Sequence, residues 1–286
     1  MEVSVLPRER KPAGNTATTW LKVIALVFMF IDHAGKMIFP QFGEMRILGR
    51  IAFPLYAWCM IVGFHYTRSV PKYLLRILIT GLVSQPLYML ALNHTWNQPN
   101  IFLTLFLGLC ALWGIREKKY LSHLWAPAAA LALATILGVD YGWKGVLLFI
   151  MLYAVQDSRP GIAAVMITYA LFWGSFYGVT KSLFGLSIDQ GTLPGFLSQP
   201  LTALMRMQGY ILLALPLILI SFKKDLKLPR WVGYALYPAH LAVLYALELI
   251  IKCLKGRRHI TRPYDIAVFL AARPCAAQQV YDGSVA

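Results

Sequence analysis

The chain is 286 residues long, 58% hydrophobic and only 14% charged, with a mean hydropathy of +0.60. A soluble domain carries about 25% charged residues, so a water-soluble globular enzyme is excluded and a polytopic membrane protein is predicted. The formal charge of +15 would suit nucleic acid, but the Lys and Arg residues sit in short clusters between apolar runs, as the positive-inside rule requires; no nucleic-acid partner is expected.

Residues 1–19 form a polar arm with Arg8, Arg10 and Lys11. No short apolar core with a small-residue cleavage site precedes Trp20, so the first apolar run is read as a retained span. A crossing helix needs about 20 mostly apolar residues. On that scale spans are predicted at 21–39, 47–67, 73–92, 101–115, 124–139, 143–156, 161–180, 201–222 and 232–251, the fourth and sixth being short. The predicted fold class is therefore all-α, a polytopic integral-membrane helical bundle of about nine (eight to ten) transmembrane helices. It has one integral domain over 20–255, followed by a polar, loosely ordered tail over 256–286.

The loop charges set a topology. A cytoplasmic N-terminal arm puts Arg68, Lys72 and Arg76 inside, then Arg116, Lys118 and Lys119, then Arg159, then Lys223, Lys224, Lys227 and Arg230. The outside loops would include 93–100, which has no Lys or Arg, and 138–144, which has one Lys. Two features depart from the alternation. One is the Arg46–Arg50 loop. The other is the tail, whose Lys252, Lys255, Arg257, Arg258 and Arg262 would face outward with nine spans. A tenth segment within 181–207, or a tail tolerated outside, would each resolve the second. The four cysteines, Cys59, Cys110, Cys253 and Cys275, form no CxxC or Cys/His cluster, so neither a metal site nor a disulfide framework is predicted.

The chemistry is expected among polar residues inside the spans, since ionisable groups at membrane depth are costly and mark function or internal pairing. His33 lies about two-thirds of the way along the first span, and its ordinary pKa lets it accept and return a proton near neutrality. Asp32 is beside it, but helix neighbours point about 100° apart, so the two do not face one point. Asp32 is left to pair with Lys36, one turn on, or with an arginine from a neighbouring helix. Gly35 permits close helix approach or a local break. Arg46 and Arg50 stand at i and i+4 and share a helix face, where two like charges need an anion between them. Asp32 or a ligand phosphate would serve, and snorkelling to headgroups is the alternative. Asn100 opens the fourth span, as a cap or as a site residue. Asp140-Tyr141-Gly142 marks an outside turn. Tyr237, Pro238 and His240 fall near the start of the last span, and Glu248 and Lys252 form an i, i+4 pair. The sequence has no G-x-S-x-G, Walker loop or G-x-G-x-x-G.

The runs LKVIALVFMFIDHAGK, GRIAFPLYAW, Asn100-Ile101-Phe102, Tyr141-Gly142-Trp143-Lys144-Gly145-Val146 and YPAHLAVLYAL, in that order, resemble the TraX family over about residues 20–250. These are bacterial inner-membrane proteins named for the protein that N-acetylates conjugative pilin, and they are similar to a wider group of transmembrane acyltransferases that use an intramembrane His and acetyl-CoA. The resemblance implies His33 as the acid–base residue, Asp32 as its support and Arg50 at the active site. It gives lesser claims to Arg46, Asn100, Tyr141 and His240 in binding substrate or CoA. It further implies acetyl-CoA as acyl donor without a metal, and a pilin or fimbrial amine as acceptor in the bilayer. Direct transfer and an acetyl-His intermediate both stay open. The rival readings are O-acetylation of a cell-surface glycan, a proton-coupled transporter using Asp32, His33 and Glu248, and a passive assembly factor.

Overall fold

The computed structural model describes residues 11–177, 182–183, 186–187, 194–222 and 224–254. The helices are α1 (Thr18–Met37), α2 (Gly43–Gly49), α3 (Ala52–Tyr66), α4 (Val70–Leu92), α5 (Ile101–Glu117), α6 (Ser122–Ile136), α7 (Gly142–Ala154), α8 (Arg159–Gly174), α9 (Gly195–Leu204), α10 (Leu215–Leu219) and α11 (Arg230–Leu254). Tighter 3-10 stretches cover Lys119–Leu121 and Met207–Ala214. Among the described residues the only extended pairing is a two-residue ladder, Ser182–Leu183 against Leu186–Ser187, so the architecture is helical, as the apolar runs predict. Residues up to Tyr245 form one compact unit and the chain from Ala246 a second. The far N-terminal residues and the polar tail fall outside the described set, as does the Lys252 side chain of the expected Glu248–Lys252 pair.

Four stretches are long and apolar enough to cross a membrane: Thr18–Met37, Gly43–Tyr66, Val70–Leu92 and Trp231–Ile251. The other predicted spans also contain helices, but α5 to α8 run 17, 15, 13 and 16 residues. At 1.5 Å per residue, 13 residues reach only about 20 Å, against a hydrocarbon core of about 30 Å. The expected count of about nine thus reduces to four full-length candidates among the described residues. Turns consume the ends of the remaining runs. Lys118, Tyr120 and Leu121 take the left-handed conformation between α5 and α6, and Gly138, Tyr141 and Gly142 do so between α6 and α7.

Helix α3 is the centre. Phe53, Leu55, Ala57, Trp58, Cys59, Ile61, Val62 and Phe64 are all buried, and a helix apolar on every side has no face to offer water. It packs against α1, α5, α7, α10 and the Met207–Ala214 stretch. On α4 the outward stripe is Leu75, Ile79, Leu82 and Val83, spaced as one helix face and suited to hydrocarbon.

The two ends of the bundle differ. At the N-terminal end of α1, residues Ala13–Ala17 do not dangle as an arm but are threaded into the body. Asn15 is 1% exposed, its N–H donates to Ile218 O at 2.6 Å, and its carbonyl accepts from Trp58 Nε1 at 2.8 Å. Arg159 donates to Ala13 O and to Ser221. Asp225 caps α1 from 206 residues away, accepting from Thr19 N and Trp20 N; Ala17, at the cap position, has no side-chain oxygen to do so. Three of the segments predicted to lie inside, the N-terminal one, the Arg159 loop and the Asp225 loop, thus meet at one end. The 37–43 turn, the 93–100 loop and the 138–142 turn gather at the other.

Candidate functional site

The second end holds a polar centre built largely from α1 and α2. Inside Gly43–Tyr66 the backbone tightens: Arg50 N donates to Ile47 O at 3.0 Å and Ile51 N to Leu48 O at 3.2 Å, both 3-10 bonds. That step leaves the Arg46 carbonyl to another donor, and Arg50 Nε takes it at 3.0 Å. The guanidinium is thereby aimed at α1, where Arg50 Nη2 meets Asp32 Oδ1 at 2.8 Å. Arg46 Nη1 meets Asp32 Oδ2 at 2.9 Å. Of the anions the sequence offers the two arginines, the fold supplies Asp32. Close approach of the helices is possible because Gly49 has no side chain: a Cβ there would lie 2.2 Å from Asp32 Oδ1. Gly35 does the same against Met45, at 2.7 Å.

Asp32, with both oxygens on arginines, does not bond the His33 ring. That partner is His240, from α11: His33 Nδ1 lies 2.9 Å from His240 Nε2. His240 is buried within the protein. Its other nitrogen, Nδ1, is 3.3 Å from Leu236 O. Tyr237 packs edge-on against His240, with ring centroids 5.1 Å apart, and Phe102 edge-on against Tyr237 at 4.8 Å.

Tyr141 lines the same centre, stacked on Phe53 at 4.2 Å with the Arg50 guanidinium 6.0 Å from its ring centre. It holds φ +64°, a conformation uncommon for a bulky residue and one that costs energy unless its surroundings impose it. Thr104 donates to the carbonyl of neighbouring Asp140. The Asp140 carboxyl is within electrostatic reach of Arg50, Asp32 and Lys36; burial pushes its pKa up, while Arg50 and Lys36 oppose that rise. Lys36 does not pair with Asp32. Its Nζ lies 2.7 Å from His94 Nε2, and His94 Nδ1 lies 2.7 Å from Gln98 Oε1. Burial and then Lys36 hold His94 below its ordinary pKa, so it is neutral at pH 7 and accepts from the lysine. Asn100 does not join the histidines. It caps α5 by accepting from Phe102 N at 3.0 Å and ties α4 to α5 by donating to Gly81 O at 2.8 Å.

Sequence reasoning missed the His94 contact and the place of the Asp140 carboxyl beside this centre. The local signal for the second was the Asp-Tyr-Gly turn, read only as punctuation. Among the described residues no three His, Cys, Asp or Glu side chains gather as metal ligands.

The family model described as TraX protein matches residues 17–248, which takes in every residue of this centre. The chain belongs to the TraX family. This TraX-family chain is 27% identical to protein TraX of Escherichia coli over 246 residues, covering 80% of the chain and 86% of the relative. It is 26% identical over 250 residues to the probable fimbrial assembly protein FimC, serogroup H1, of Dichelobacter nodosus, covering 81% and 96%. It is also 28% identical over 147 residues to an uncharacterized protein of Rickettsia prowazekii (strain Madrid E); that match covers 50% of the chain and 57% of the relative, a little over half its length. No solved structure matches the chain.

Proposed function

We propose that this TraX-family protein is an acetyltransferase of the bacterial inner membrane, with its N-terminus cytoplasmic, which moves an acetyl group from acetyl-CoA to the N-terminal amine of a pilin or fimbrial subunit. The observation that carries the reading is the state of His33. It is an imidazole inside an apolar helix, held by a second imidazole rather than by a carboxylate, so it has a lone pair to offer. Attack of an amine on a thioester requires that the amine lose a proton as the C–N bond forms. His33 takes that proton, the C–S bond breaks, and the thiolate leaves and is protonated. Arg46 has the more exposed side chain of the two arginines, 27% against 8%, and its guanidinium is the group we assign to the developing oxyanion. Family membership and the Dichelobacter relative, a probable fimbrial assembly protein, support a surface-fibre subunit as acceptor.

Incubating membranes with labelled acetyl-CoA tests this. Wild type is expected to label the pilin, and His33→Ala to abolish labelling while inserting to the same level; full labelling by the variant sinks the reading. Mass spectrometry of pilin and surface polysaccharide from a deletion strain separates an amine acceptor from a glycan hydroxyl.

A further inference from the structure

The pairing of His33 with His240 specifies more than proximity. The ring planes lie within 14° of parallel and the centroids are 5.2 Å apart, which by itself would describe stacking. Yet Nδ1 of one ring and Nε2 of the other are 2.9 Å apart, closer than the roughly 3.5 Å at which two ring faces rest on each other. The rings therefore meet edge to edge in nearly one plane, the geometry of an N–H···N hydrogen bond.

Which nitrogen carries the hydrogen follows from the next link. Leu236 O can only accept, so His240 Nδ1, 3.3 Å away, is the protonated nitrogen of that ring. In a neutral imidazole the other nitrogen is then an acceptor. His240 Nε2 must receive its hydrogen bond from His33, and His33 Nδ1 must carry the proton. The lone pair of His33 is left on Nε2. The edge-on contacts of Tyr237 with His240 and of Phe102 with Tyr237 hold the ring in place. Asp32, the adjacent carboxylate that a catalytic dyad would ordinarily use, has both oxygens on arginines.

We infer that His240 is the positioning residue of this site: it fixes the tautomer of His33 so that Nε2 is the proton-accepting atom. Resting on the assignment of His33 as base, this gives the orienting role of a triad carboxylate to a neutral histidine on a helix 207 residues away. As Nε2 takes the acceptor's proton, the cation formed on His33 keeps its Nδ1–H on the His240 lone pair. The hydrogen bond becomes charge-assisted and stronger. No other group need move.

The test reads the tautomer directly. In purified full-length protein labelled with ¹⁵N-histidine, His33 signals are assigned by their loss in His33→Ala. At neutral pH, Nδ1 is expected to be the protonated nitrogen and Nε2 the bare one. In His240→Leu the pattern is expected to shift toward a protonated Nε2. His240→Gln offers Oε1 as an acceptor and is expected to restore the wild-type pattern. In the acetylation assay, kcat should fall about 100-fold or more in His240→Leu with KM for acetyl-CoA unchanged, since a wrongly held base costs on this scale, and His240→Gln should recover most of it. A bare Nδ1 on His33 in the wild type, or one tautomer shared by wild type and His240→Leu, overturns the inference. Absence of any acetyl transfer overturns the proposed function instead and leaves the tautomer result standing.

Discussion

At the scale of single residues, one carboxylate decides what the neighbouring charges can do. Asp32 neutralises Arg46 and Arg50 through separate oxygens, so neither guanidinium waits for a ligand phosphate as an unpaired charge. Breaking a buried pair of this kind from one side strands the remaining charge and costs about 3–5 kcal/mol, whereas removing both sides costs far less. Asp32→Leu is therefore expected to lower the thermal stability of the detergent-solubilised protein sharply, and Asp32→Leu combined with Arg50→Met to recover part of it. Additive losses in that double-mutant cycle would show that the pair is not coupled. This ion pair was legible in the sequence, because all three residues lie within 18 positions and two like charges on one helix face demand an anion. The angular argument that Asp32 and His33 face different ways also held, as did the expectation that Gly35 allows close approach. The partner of His33 was not legible. Nothing in residues 21–54 points to a helix that follows 207 residues later, and His240 in its own context resembles an interfacial histidine.

At the scale of elements, hydropathy located the helices and missed how they are broken. Each predicted span contains helix, but 201–222 resolves into the end of α9, an eight-residue 3-10 stretch and the five residues of α10. Runs of 3-10 helix beyond three or four residues are uncommon. Here Gly209 lies so close to Leu204 that a Cβ would come 2.3 Å from its carbonyl oxygen, and Pro216 sits in the opening turn of α10, where its missing N–H is harmless. A hydropathy window registers these residues as apolar or neutral and carries no backbone geometry. The α1–α2 contact gives the sharpest element-scale expectation. Gly49→Ala should destabilise the protein by about 1–3 kcal/mol, the usual cost of overpacking, and should also reduce acetylation because the intruding methyl displaces Asp32. Gly43→Ala, on the same helix with nothing within 4 Å of its Cβ position, is the control and should leave the melting temperature unchanged. Equal effects from both would mean that helix propensity, not contact, sets the cost.

At the scale of the whole molecule, three of the segments predicted to lie inside gather together and the site residues gather elsewhere. Arg159, Asp225 and the Ala13–Ala17 segment meet at one end, while Lys36, His94 and the turn at Asp140 share the other. In a cysteine-free background, Asn97→Cys and Lys224→Cys are expected to react with an impermeant thiol reagent from opposite faces of the membrane. Labelling of both from one face would refute the arrangement. The threaded N-terminal segment has a consequence for biogenesis. Asn15, in that segment, bonds to Ile218, and α1 receives its cap from Asp225. The ion pair on Asp32 needs only the chain as far as Arg50, so it can form while synthesis is still at an early stage. The bond to His240 must wait for α11, and closing so long a loop is slow. Translation therefore orders these contacts, with charge neutralisation on Asp32 first and the histidine pair later. A nascent chain can reside in the bilayer without exposing a stranded carboxylate, yet its His33 ring lacks the His240 contact until α11 has been made.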